Sequence, residues 1–398
     1  MKILIFSQYF WPENFRINDI ANFLSLKNNN VTVVTGYPNY PEGKLFNNFK
    51  NNKKKFSRYG KINIIRIPII LRGNSKFQLF FNYLSFIISG LVFVFFSKHQ
   101  KYDRIFFYGT SPITSAIPAL LLSKKKNIPI SMWLLDYWPY TLKDIGIIKS
   151  KFVLSIFKFF LFKIYSSFDL ILCQSKGFKN HLSKKIKKKA SLLYSWPEEI
   201  FYKNTNKNKF LKYKNNFKIL FAGNIGKAQN LLNLSKAIEL LKNNDKIKFF
   251  FIGDGSEKKN FEIFVNEKKL NNLIFIKKKN ISKIPEFYNS ADCLLISLSN
   301  KFSFNKTIPA KIQTYMVSKK PILALASGEV LKVVKDANCG YVSKSNNYKD
   351  FKKKILKMSK NNKKILLKLG NNGFNYAGKN FNRNKQLNTL LNSIKKYK

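Results

Sequence analysis

Two charged residues of the C-terminal half, Lys311 and Glu329, occupy positions that favour a ligand over a plain surface charge. The segment 306–334 (KTIPAKIQTYMVSKKPILALASGEVLKVV) predicts a helix that begins at Pro309, then a buried strand and a second helix. Lys311 falls in the first helical turn, where the helix dipole repels a cation unless an anion shares the site. Glu329 follows the strand's carboxyl end, where an acid can hold ribose hydroxyls. Either residue alone is compatible with a solvated charge, but together they predict a nucleotide diphosphate site.

Glycine turns that follow predicted strands form the second part of this candidate site. The segment FAGNIGK ends a strand and predicts a turn that opens a helix, with Lys227 in its first turn. Glycines let the backbone approach a phosphate, and a helix N-terminus supplies N–H donors. A further turn, IGDGS, is either a tight connection or a ligand loop. The candidate donor-binding residues are Gly223, Asn224, Gly226, Gly253, Asp254, Gly328 and Glu329, and the cations expected to act on the diphosphate are Lys227 and Lys311.

In the N-terminal half, one carboxylate and one loop are candidates for binding an acceptor. Asp136, in the segment WLLDYWP, ends a predicted strand between aromatic residues. A carboxylate there can hold or deprotonate an acceptor hydroxyl, or it is simply an exposed turn aspartate. The loop GYPNYPEG follows another strand and is rich in aromatics, so we expect Tyr37, Asn39 and Tyr40 to hold a sugar.

Several other chemistries are not supported by the sequence. It contains no Ser/His/Asp set, no GxxxxGK[ST] phosphate loop and no DxD-like metal pair in a suitable place. Its two histidines are too few for a histidine-based metal cluster, and its three cysteines lie far apart in apolar runs, which indicates buried thiols in a reducing compartment. We therefore expect no cofactor and no metal, with electrostatic stabilisation of a leaving diphosphate.

Alternating strands and helices must position these residues. The alternation begins with the strand KILIF, runs through the first half, and starts again at Phe217. This pattern predicts parallel, doubly wound α/β sheets, and hence two Rossmann-like domains that face a central cleft. The N-terminus shows no signal-peptide pattern. The expected limits are an acceptor-binding domain at 1–195, a polar linker at 196–216, a nucleotide-sugar-binding domain at 217–375, and a C-terminal helix at 376–398 that is able to pack back across the interface.

The run 77–97 (FQLFFNYLSFIISGLVFVFFS) holds 21 residues without a charge, which is long enough for a transmembrane helix. A single span would place the strands before and after it on opposite sides of the bilayer, although they must share one sheet. We therefore expect a helix that packs partly on the sheet and partly dips into the membrane surface. The run 152–168 predicts a second aromatic helix suited to the same face. A buried core helix is the alternative for each.

The formal net charge of +53 invites a nucleic-acid-binding interpretation, but the kind of charge argues against it. Only six of the 73 basic residues are arginine, whereas base recognition favours the bidentate guanidinium. Lysine rises here together with Asn, Ile and Phe, which is typical of an AT-rich genome. Such a surface would still attract an anionic membrane.

The segments SQYFWPENFRIND, GYPNYPEGK, LLDYWP, FAGNIGKAQ and PAKIQTYMVSKKPILALASGE resemble the family 4 retaining glycosyltransferases, over nearly the whole chain. They are most similar to the subgroup of O-antigen, capsule and colanic acid synthesis, including L-fucosamine transferases. The resemblance implies a GT-B fold whose C-terminal domain binds a nucleotide sugar. It also implies that the N-terminal domain binds an acceptor, usually a lipid-linked saccharide at the cytoplasmic membrane face.

By position, the resemblance implies that Lys227 and Lys311 contact the diphosphate and that Glu329 contacts the ribose or the sugar. It implies that Arg16 and Asp136 line the acceptor side. The chain also departs from the broader family, which has two glutamates eight positions apart. Here these positions hold Lys306 and Thr314, and Glu329 is the candidate substitute for the ribose-binding glutamate.

The expected function is therefore transfer of a sugar from a nucleotide diphosphate to a lipid-linked saccharide in surface polysaccharide synthesis. The resemblance points to a UDP-activated N-acetylated amino sugar, and to a location on the inner face of the bacterial cytoplasmic membrane. One alternative is a GT-B nucleotide-sugar epimerase or hydrolase, which would release nucleotide without an acceptor. A more distant alternative is a basic nucleic-acid-binding protein, with salt-dependent binding and no nucleotide-sugar affinity.

Overall fold

Two sheets of mainly parallel strands organise the computed structural model, which describes residues 1–73, 75–96, 101–203 and 209–396. Each sheet lies in its own compact unit. The first unit comprises Met1–Gln174, Phe178–Leu193 and the chain from Leu387, and the second comprises Ser175–Gly177 and Tyr194–Gln386. The GT-B fold class and the two Rossmann-like halves are as predicted.

The first unit is built on an eight-stranded sheet with the order β3-β4-β2-β1-β5-β6-β7-β8, in which only the β3–β4 pair is antiparallel. Its strands are β1 (Lys2–Phe6), β2 (Asn30–Gly36), β3 (Arg58–Tyr59), β4 (Ile62–Ile67), β5 (Arg104–Gly109), β6 (Ile130–Leu134), β7 (Leu170–Cys173) and β8 (Ser191–Leu192). Its helices are α1 (Arg16–Leu26), α2 (Asn47–Asn51), α3 (Lys76–Phe96), α4 (Ile117–Lys126), α5 (Tyr140–Asp144), α6 (Lys151–Ser166) and α7 (Lys176–Ile186).

The second unit is built on a six-stranded parallel sheet with the order β11-β10-β9-β12-β13-β14. Its strands are β9 (Phe217–Ala222), β10 (Ile247–Ile252), β11 (Leu273–Ile276), β12 (Cys293–Ser297), β13 (Ile322–Leu325) and β14 (Gly340–Ser343). The remaining helices are α8 (Leu231–Glu239), α9 (Lys258–Glu267), α10 (Ile284–Ser290), α11 (Phe302–Lys306), α12 (Ala310–Val317), α13 (Gly328–Asp336), α14 (Tyr348–Ser359), α15 (Lys363–Asn380) and α16 (Arg383–Lys396).

The central strands are nearly continuous apolar runs because helices cover both faces of each sheet. The strands KILIF and ILAL are buried almost throughout. In each sheet the chain first builds strands outward on one side and then returns to the middle to build the other side. This reversal lies between β1 and β5 in the first unit and between β9 and β12 in the second. Ligands of doubly wound sheets bind at such a point, beyond the carboxyl ends of the strands.

Some expected boundaries differ from the observed ones. Strand β4 ends at Ile67, because Pro68 has no N–H with which to continue the ladder. Within the expected linker, Phe201 and Phe210 are buried in the core of the second unit, and 204–208 lie outside the described residues. The expected C-terminal helix is part of two helices, α15 and α16. The chain from Leu387 belongs to the first unit, where Arg104 Nε donates a hydrogen bond to the Ile394 carbonyl.

The uncharged run forms helix α3, although Ser97 lies outside the described residues. Phe77–Phe96 is one helix of the described chain that is long and apolar enough to cross a bilayer, and only 28% of its most apolar window is buried. The sheet-facing side buries Phe86 and Val94. Large apolar side chains of α3 and α6 are exposed on the other side: Phe77, Phe80, Phe81, Ile88, Val92, Phe95, Phe96, Phe152, Val153, Ile156, Phe157, Phe159 and Phe160.

Helices α3 and α6 lie in the same layer of the first unit. Both pack against the short 3-10 helix Ile113–Ala116, which follows β5. Lysines accompany their exposed aromatic rings: Lys125 Nζ lies 5.0 Å from the ring centroid of Phe95, and Lys163 Nζ lies 4.2 Å from that of Phe159. We call the exposed apolar side chains of these two helices the apolar face.

Candidate functional site

The predicted donor residues gather where the second sheet reverses its strand order. The loops after β9, β10 and β13 carry Gly223, Gly253 and Gly328, respectively. Helix α12, which joins β12 to β13 and carries Lys311, meets the end of β9. Carboxyl ends of neighbouring parallel strands share one sheet edge, so these loops line a single site of the kind that doubly wound sheets use for ligands.

The two glycine turns after β9 and β10 interlock through their backbones. Gly253 has φ +149°, and a Cβ placed on it would lie 1.9 Å from the Gly223 carbonyl oxygen. The Ile225 N–H donates to the Asp254 carbonyl at 2.8 Å. Gly223, with φ +133°, and Asn224 are exposed beside this contact. The glycines are therefore required by a close backbone approach, which leaves backbone groups of Gly223 exposed at an edge where a ligand can lie.

Lys311 is the second residue of α12, one turn from the Pro309 cap, as predicted. Its Nζ folds over the turn after β9, so that a Cβ on Gly223 would lie 3.1 Å from it. The same atom lies 3.7 Å from the ring centroid of Phe221. Although part of the side chain is exposed, the Nζ is buried and has no hydrogen-bond partner among the residues that the structure describes.

Burial lowers the pKa of Lys311 to about 7 because the ammonium loses its hydration without gaining an anion. The ring of Phe221 offers only a cation–π contact in compensation. Tyr315 fixes this geometry, since its hydroxyl accepts a 3.1 Å hydrogen bond from the Ala222 N–H and so ties α12 to the end of β9. Lys311 is therefore held in place by the fold, and its Nζ has no anionic partner among the described residues.

Lys227 lies elsewhere than predicted. Helix α8 begins at Leu231, so Lys227 belongs to the preceding turn and not to the first helical turn. The turn is closed by the Gln229 N–H on the Gly226 carbonyl, and it is tied to the loop after β12 by the Ser299 N–H on the Ala228 carbonyl. The residues that the sequence pattern placed at the start of the helix therefore form this turn instead. Lys227 is exposed and therefore free to reach a ligand at the sheet edge.

Glu329 follows β13 as predicted, in the first turn of α13, and its burial there argues against a solvated surface charge. Gly328, with φ +64°, packs so tightly that a Cβ would lie 1.9 Å from the Asn305 carbonyl oxygen. A Cβ on Gly177 would lie 3.2 Å from Glu329 Cγ and 3.1 Å from Lys306 Cβ. Lys332 Nζ lies 3.8 Å from Glu329 Oε1 at the exposed rim.

The two positions that differ from the broader family have local contacts of their own. Thr314 is buried, and its hydroxyl donates to the Lys311 carbonyl at 3.0 Å. Lys306 ends α11, with its Nζ 4.8 Å from the ring centroid of Phe302. Glu329 and Lys306 therefore both lie beside Gly177, and the role of Glu329 as a substitute carboxylate stays a prediction.

In the first unit, Asp136 lies at the carboxyl end of β6 with a buried carboxylate. The Ser111 hydroxyl donates to its Oδ2 at 2.7 Å, and Trp138 Nε1 donates to the Ser111 oxygen at 2.8 Å. Burial raises the pKa of Asp136, while the Ser111 hydrogen bonds oppose the rise. A carboxylate with a raised pKa is a better proton acceptor, so Asp136 is suited to hold or deprotonate a hydroxyl.

Arg16 begins α1, beside the reversal point of the first sheet. Its backbone amide hydrogen-bonds Tyr108, a residue of β5 whose hydroxyl feels the charges of both Arg16 and Asp136. Burial, the largest influence, raises the pKa of Tyr108. Arg16 and Asp136 are therefore brought to one region of the first unit, as the prediction requires.

The loop at 36–43 shows different environments for its three candidates. Tyr40 is exposed, whereas Tyr37 is partly buried with its ring centroid 5.4 Å from that of Phe49. Asn39 is fully buried: its Nδ2 donates to the Tyr37 carbonyl at 2.7 Å, and its Oδ1 accepts from the Arg72 N–H at 2.8 Å. Asn39 thus positions the loop, and Tyr40 is the member open to a ligand.

Glu13 is the residue that the sequence reasoning missed. It is buried, and its carboxylate accepts N–H bonds from Phe10, Asn39 and Tyr40, so it joins the loops after β1 and β2. Burial raises the pKa of Glu13 to about 7, against the hydrogen bonds and the nearby charge of Arg66. A signal was present, since Glu13 is a lone acidic residue among the aromatic residues of FWPENF.

Within the described parts of the chain, no group of three or more His, Cys, Asp or Glu side chains is placed to hold a metal ion. The three cysteines are buried and free, in agreement with the sequence analysis. The second unit's sheet edge carries Lys227 and Lys311 together with the carboxylates of Asp254 and Glu329. Ammonium groups at such an edge can bind an anion and stabilise charge that develops on it.

Comparison with known proteins finds similarity to glycosyltransferases. Residues 202–376 match the family described as "Glycosyl transferases group 1". A relative named as an uncharacterized glycosyltransferase of Methanocaldococcus jannaschii is 27% identical over 213 residues, which are 53% of this chain and 55% of the relative. The match thus spans about half the length of that relative.

A second relative matches more of the chain. The Escherichia coli protein WcaI, named as a glycosyl transferase of colanic acid biosynthesis, is 22% identical over 330 residues, or 78% of this chain and 80% of the relative. Among solved structures, HepE of Anabaena in complex with UDP superposes with a TM-score of 0.69 at 13% identity, over 99% of this chain and 100% of HepE. At that identity, the similarity to HepE is one of fold.

Proposed function

We propose, from the match of residues 202–376 to the group 1 glycosyltransferase family, that this chain transfers a sugar from a nucleotide diphosphate to a saccharide acceptor. The observation that carries the proposal is Lys311 at the reversal point of the second sheet, whose buried Nζ has no hydrogen-bond partner in the part of the chain that the structure describes. An anionic ligand at the turn after β9 would supply the missing partner. A diphosphate is the anion that the group 1 family and the glycine turns favour.

In the proposed reaction, the bond between the sugar's anomeric carbon and the diphosphate breaks while the acceptor oxygen bonds to that carbon. Lys311 holds the charge that collects on the leaving diphosphate, with the exposed Lys227 as a second cation. Glu329 binds the ribose or the sugar. Asp136 binds the acceptor hydroxyl and takes its proton. We propose retention of configuration on the basis of the resemblance to family 4.

The donor that we propose is a UDP-linked N-acetylated amino sugar, and the acceptor is a lipid-linked saccharide of surface polysaccharide synthesis. The similarity to WcaI supports a role in polysaccharide synthesis. We propose that catalysis requires no divalent metal, because lysines supply the positive charge at the proposed diphosphate site.

We also propose that the protein binds the inner face of the cytoplasmic membrane through the apolar face of α3 and α6. More than half of the exposable surface of Phe77, Phe80 and Phe96 is open to solvent, which is unfavourable in water. The adjoining lysines would meet anionic lipid headgroups. Burial of an apolar helix face together with basic side chains is typical of monotopic membrane binding.

A two-step assay tests the proposed function. Thermal shift across UDP-, GDP- and ADP-sugars identifies the donor, and we expect stabilisation by UDP-sugars above the others. Transfer is then measured on lipid-linked saccharides with the donor found. Nucleotide release at the same rate with and without an acceptor would contradict a transferase and favour a hydrolase or epimerase.

A further inference from the structure

Arg72 lies in the first unit between the loop at 36–43 and helix α3. Its N–H donates to the Asn39 side chain at 2.8 Å. A Cβ on Gly43, which has φ +73°, would lie 1.7 Å from the Arg72 carbonyl oxygen, so the two backbones are in close contact. The backbone of Arg72 is therefore held firmly, and the direction of its guanidinium group is set by the fold.

The guanidinium group of Arg72 faces aromatic rings and phenols. It lies 5.3 Å from the ring centroid of Tyr40, and its Nη1 donates to the hydroxyls of Tyr9 at 3.2 Å and Tyr83 at 3.4 Å. Among the described residues, no carboxylate forms an ion pair with Arg72. Each phenol accepts from the arginine and keeps its own proton to donate. Burial raises the pKa of Tyr9, which keeps that proton in place.

The presence of arginine is itself informative in a chain with only six arginines among 73 basic residues. A planar guanidinium fork binds a phosphate through two parallel hydrogen bonds, which a lysine cannot do. Arg72 is only partly buried, and its side-chain hydrogen bonds to Tyr9 and Tyr83 use Nη1 alone. Arg72, Tyr9 and Tyr83 thus present a positive charge and several hydrogen-bond donors at one point.

This polar cluster lies at the edge of the apolar face. Tyr83 belongs to α3, and Phe80, three residues earlier, is exposed on the same side of the helix, while Ile70 is exposed two residues before Arg72. Asn82 of α3 is buried and holds the helix beside the segments that carry Tyr9 and Arg72. Its side chain accepts a hydrogen bond from Gln8 Nε2 at 2.8 Å and donates one to the Ile70 carbonyl at 2.6 Å. The loop at 36–43 (which we propose to bind the sugar), Arg72 and the apolar face therefore follow one another within the first unit.

We propose that Arg72, with the hydroxyls of Tyr9 and Tyr83, binds the diphosphate that joins the saccharide of the acceptor to its lipid. The order of the three surfaces matches the order of saccharide, diphosphate and hydrocarbon in such a molecule. The inference rests on the proposed function, because it assumes a lipid-linked acceptor. It adds to that function a residue that distinguishes a diphosphate-linked acceptor from a neutral glycolipid.

Binding of farnesyl diphosphate, a short prenyl diphosphate, tests the proposal without any transfer step. We expect Arg72→Gln to weaken this binding about 10- to 100-fold, the effect of losing a charge-assisted hydrogen-bond pair. Binding of neutral farnesol and of the UDP-sugar should be unchanged. Arg58→Gln serves as the matched control, because Arg58 is an exposed arginine of the same unit and should leave all three affinities unaltered.

Tyr83→Phe provides a second variant should Arg72→Gln fail to fold, since it removes one hydroxyl and keeps the ring; we expect a loss of several-fold. The proposal is overturned if wild-type protein does not bind farnesyl diphosphate, or if both variants bind it as the wild type does. Equal losses for farnesol would also overturn it, because they indicate a structural role. Equal losses for phosphatidylglycerol vesicles would assign Arg72 to general headgroup binding instead. Absence of transfer with Arg72-dependent diphosphate binding intact would contradict the proposed function alone.

Discussion

Donor binding should be coupled to uptake of a proton by Lys311. Burial lowers the pKa of this lysine to about 7 in the free protein, because its Nζ rests on the Phe221 ring without an anionic partner. A bound diphosphate would favour the charged form and raise the pKa again. Between these two pKa values, binding must therefore draw a proton from solvent.

The size of the uptake follows from the lowered pKa. At pH 8, a lysine with a pKa of about 7 is protonated in roughly one molecule in ten, so binding should take up about 0.9 proton. The affinity for the donor should then weaken about tenfold for each pH unit above 7, until the pKa of the bound state is reached. In Lys311→Met, which keeps an unbranched side chain one atom shorter and has no ammonium, both effects should disappear.

Calorimetry of UDP-sugar binding at pH 8 measures the uptake, since the observed heat varies with the ionisation enthalpy of the buffer. A sugar diester of diphosphate has no proton of its own to exchange near this pH. Zero uptake in the wild type, or equal uptake in Lys311→Met, would refute the reasoning. Turnover of Lys311→Met should fall about 100-fold or more, comparable to the loss of one oxyanion donor.

The stability of the free protein provides an independent check, because it should rise with pH where the donor affinity falls. The folded state binds fewer protons at Lys311 than the unfolded state between pH 7 and the ordinary lysine pKa of 10.5. Stability of the wild type should therefore rise through this window relative to Lys311→Met. Below pH 7 the variant should be more stable, by on the order of a few kcal/mol. Lys335→Met, at an exposed lysine of the same unit, is the control. Lys320 is unsuitable, because its Nζ donates to the Asn289 carbonyl.

Further predictions concern residues of the first unit and the dependence of activity on a divalent metal. Glu13→Ala should abolish transfer but leave donor affinity intact, because three N–H groups of the loops after β1 and β2, which we propose to bind the acceptor, lose their partner. Ser111→Ala should move the acidic limb of the kcat/KM profile to higher pH, since it removes the hydroxyl hydrogen bond that opposes the raised pKa of Asp136 and keeps the backbone one; an unmoved limb would exclude Asp136 as the base. Activity should survive EDTA, and restoration by Mn²⁺ of activity lost to EDTA would contradict the lysine-based mechanism. Serine at Phe77, Phe80 and Phe81 should release the protein from anionic vesicles, whereas serine at exposed apolar residues of the second unit should not; these controls are Leu211, Leu232 and Ile263.

Local sequence pattern was sufficient for the order of strands and helices in both halves. Apolar runs such as KILIF and ILAL are strands because only a sheet covered on both faces buries every side chain of the run. The placement of Lys311 in a first helical turn was also predictable. Pro309 is the N-cap residue of that helix, and a proline at a helix start is a local signal that can be recognised in the sequence. These features depend on residues that are close together along the chain.

Other features depended on contacts that are distant in sequence. Lys227 lies outside the helix because the loop after β12 binds its turn, 72 residues away along the chain. Glu13 appeared to be an ordinary loop residue until the fold placed the N–H groups of Asn39 and Tyr40 around it. Sequence could place Lys311 against the helix dipole, but its lowered pKa arises from Phe221 and Gly223, which lie on another strand and turn. The sequence by itself determined which charges were available, and tertiary packing decided which of them lost water, because desolvation depends on every surrounding atom and not on chain neighbours alone.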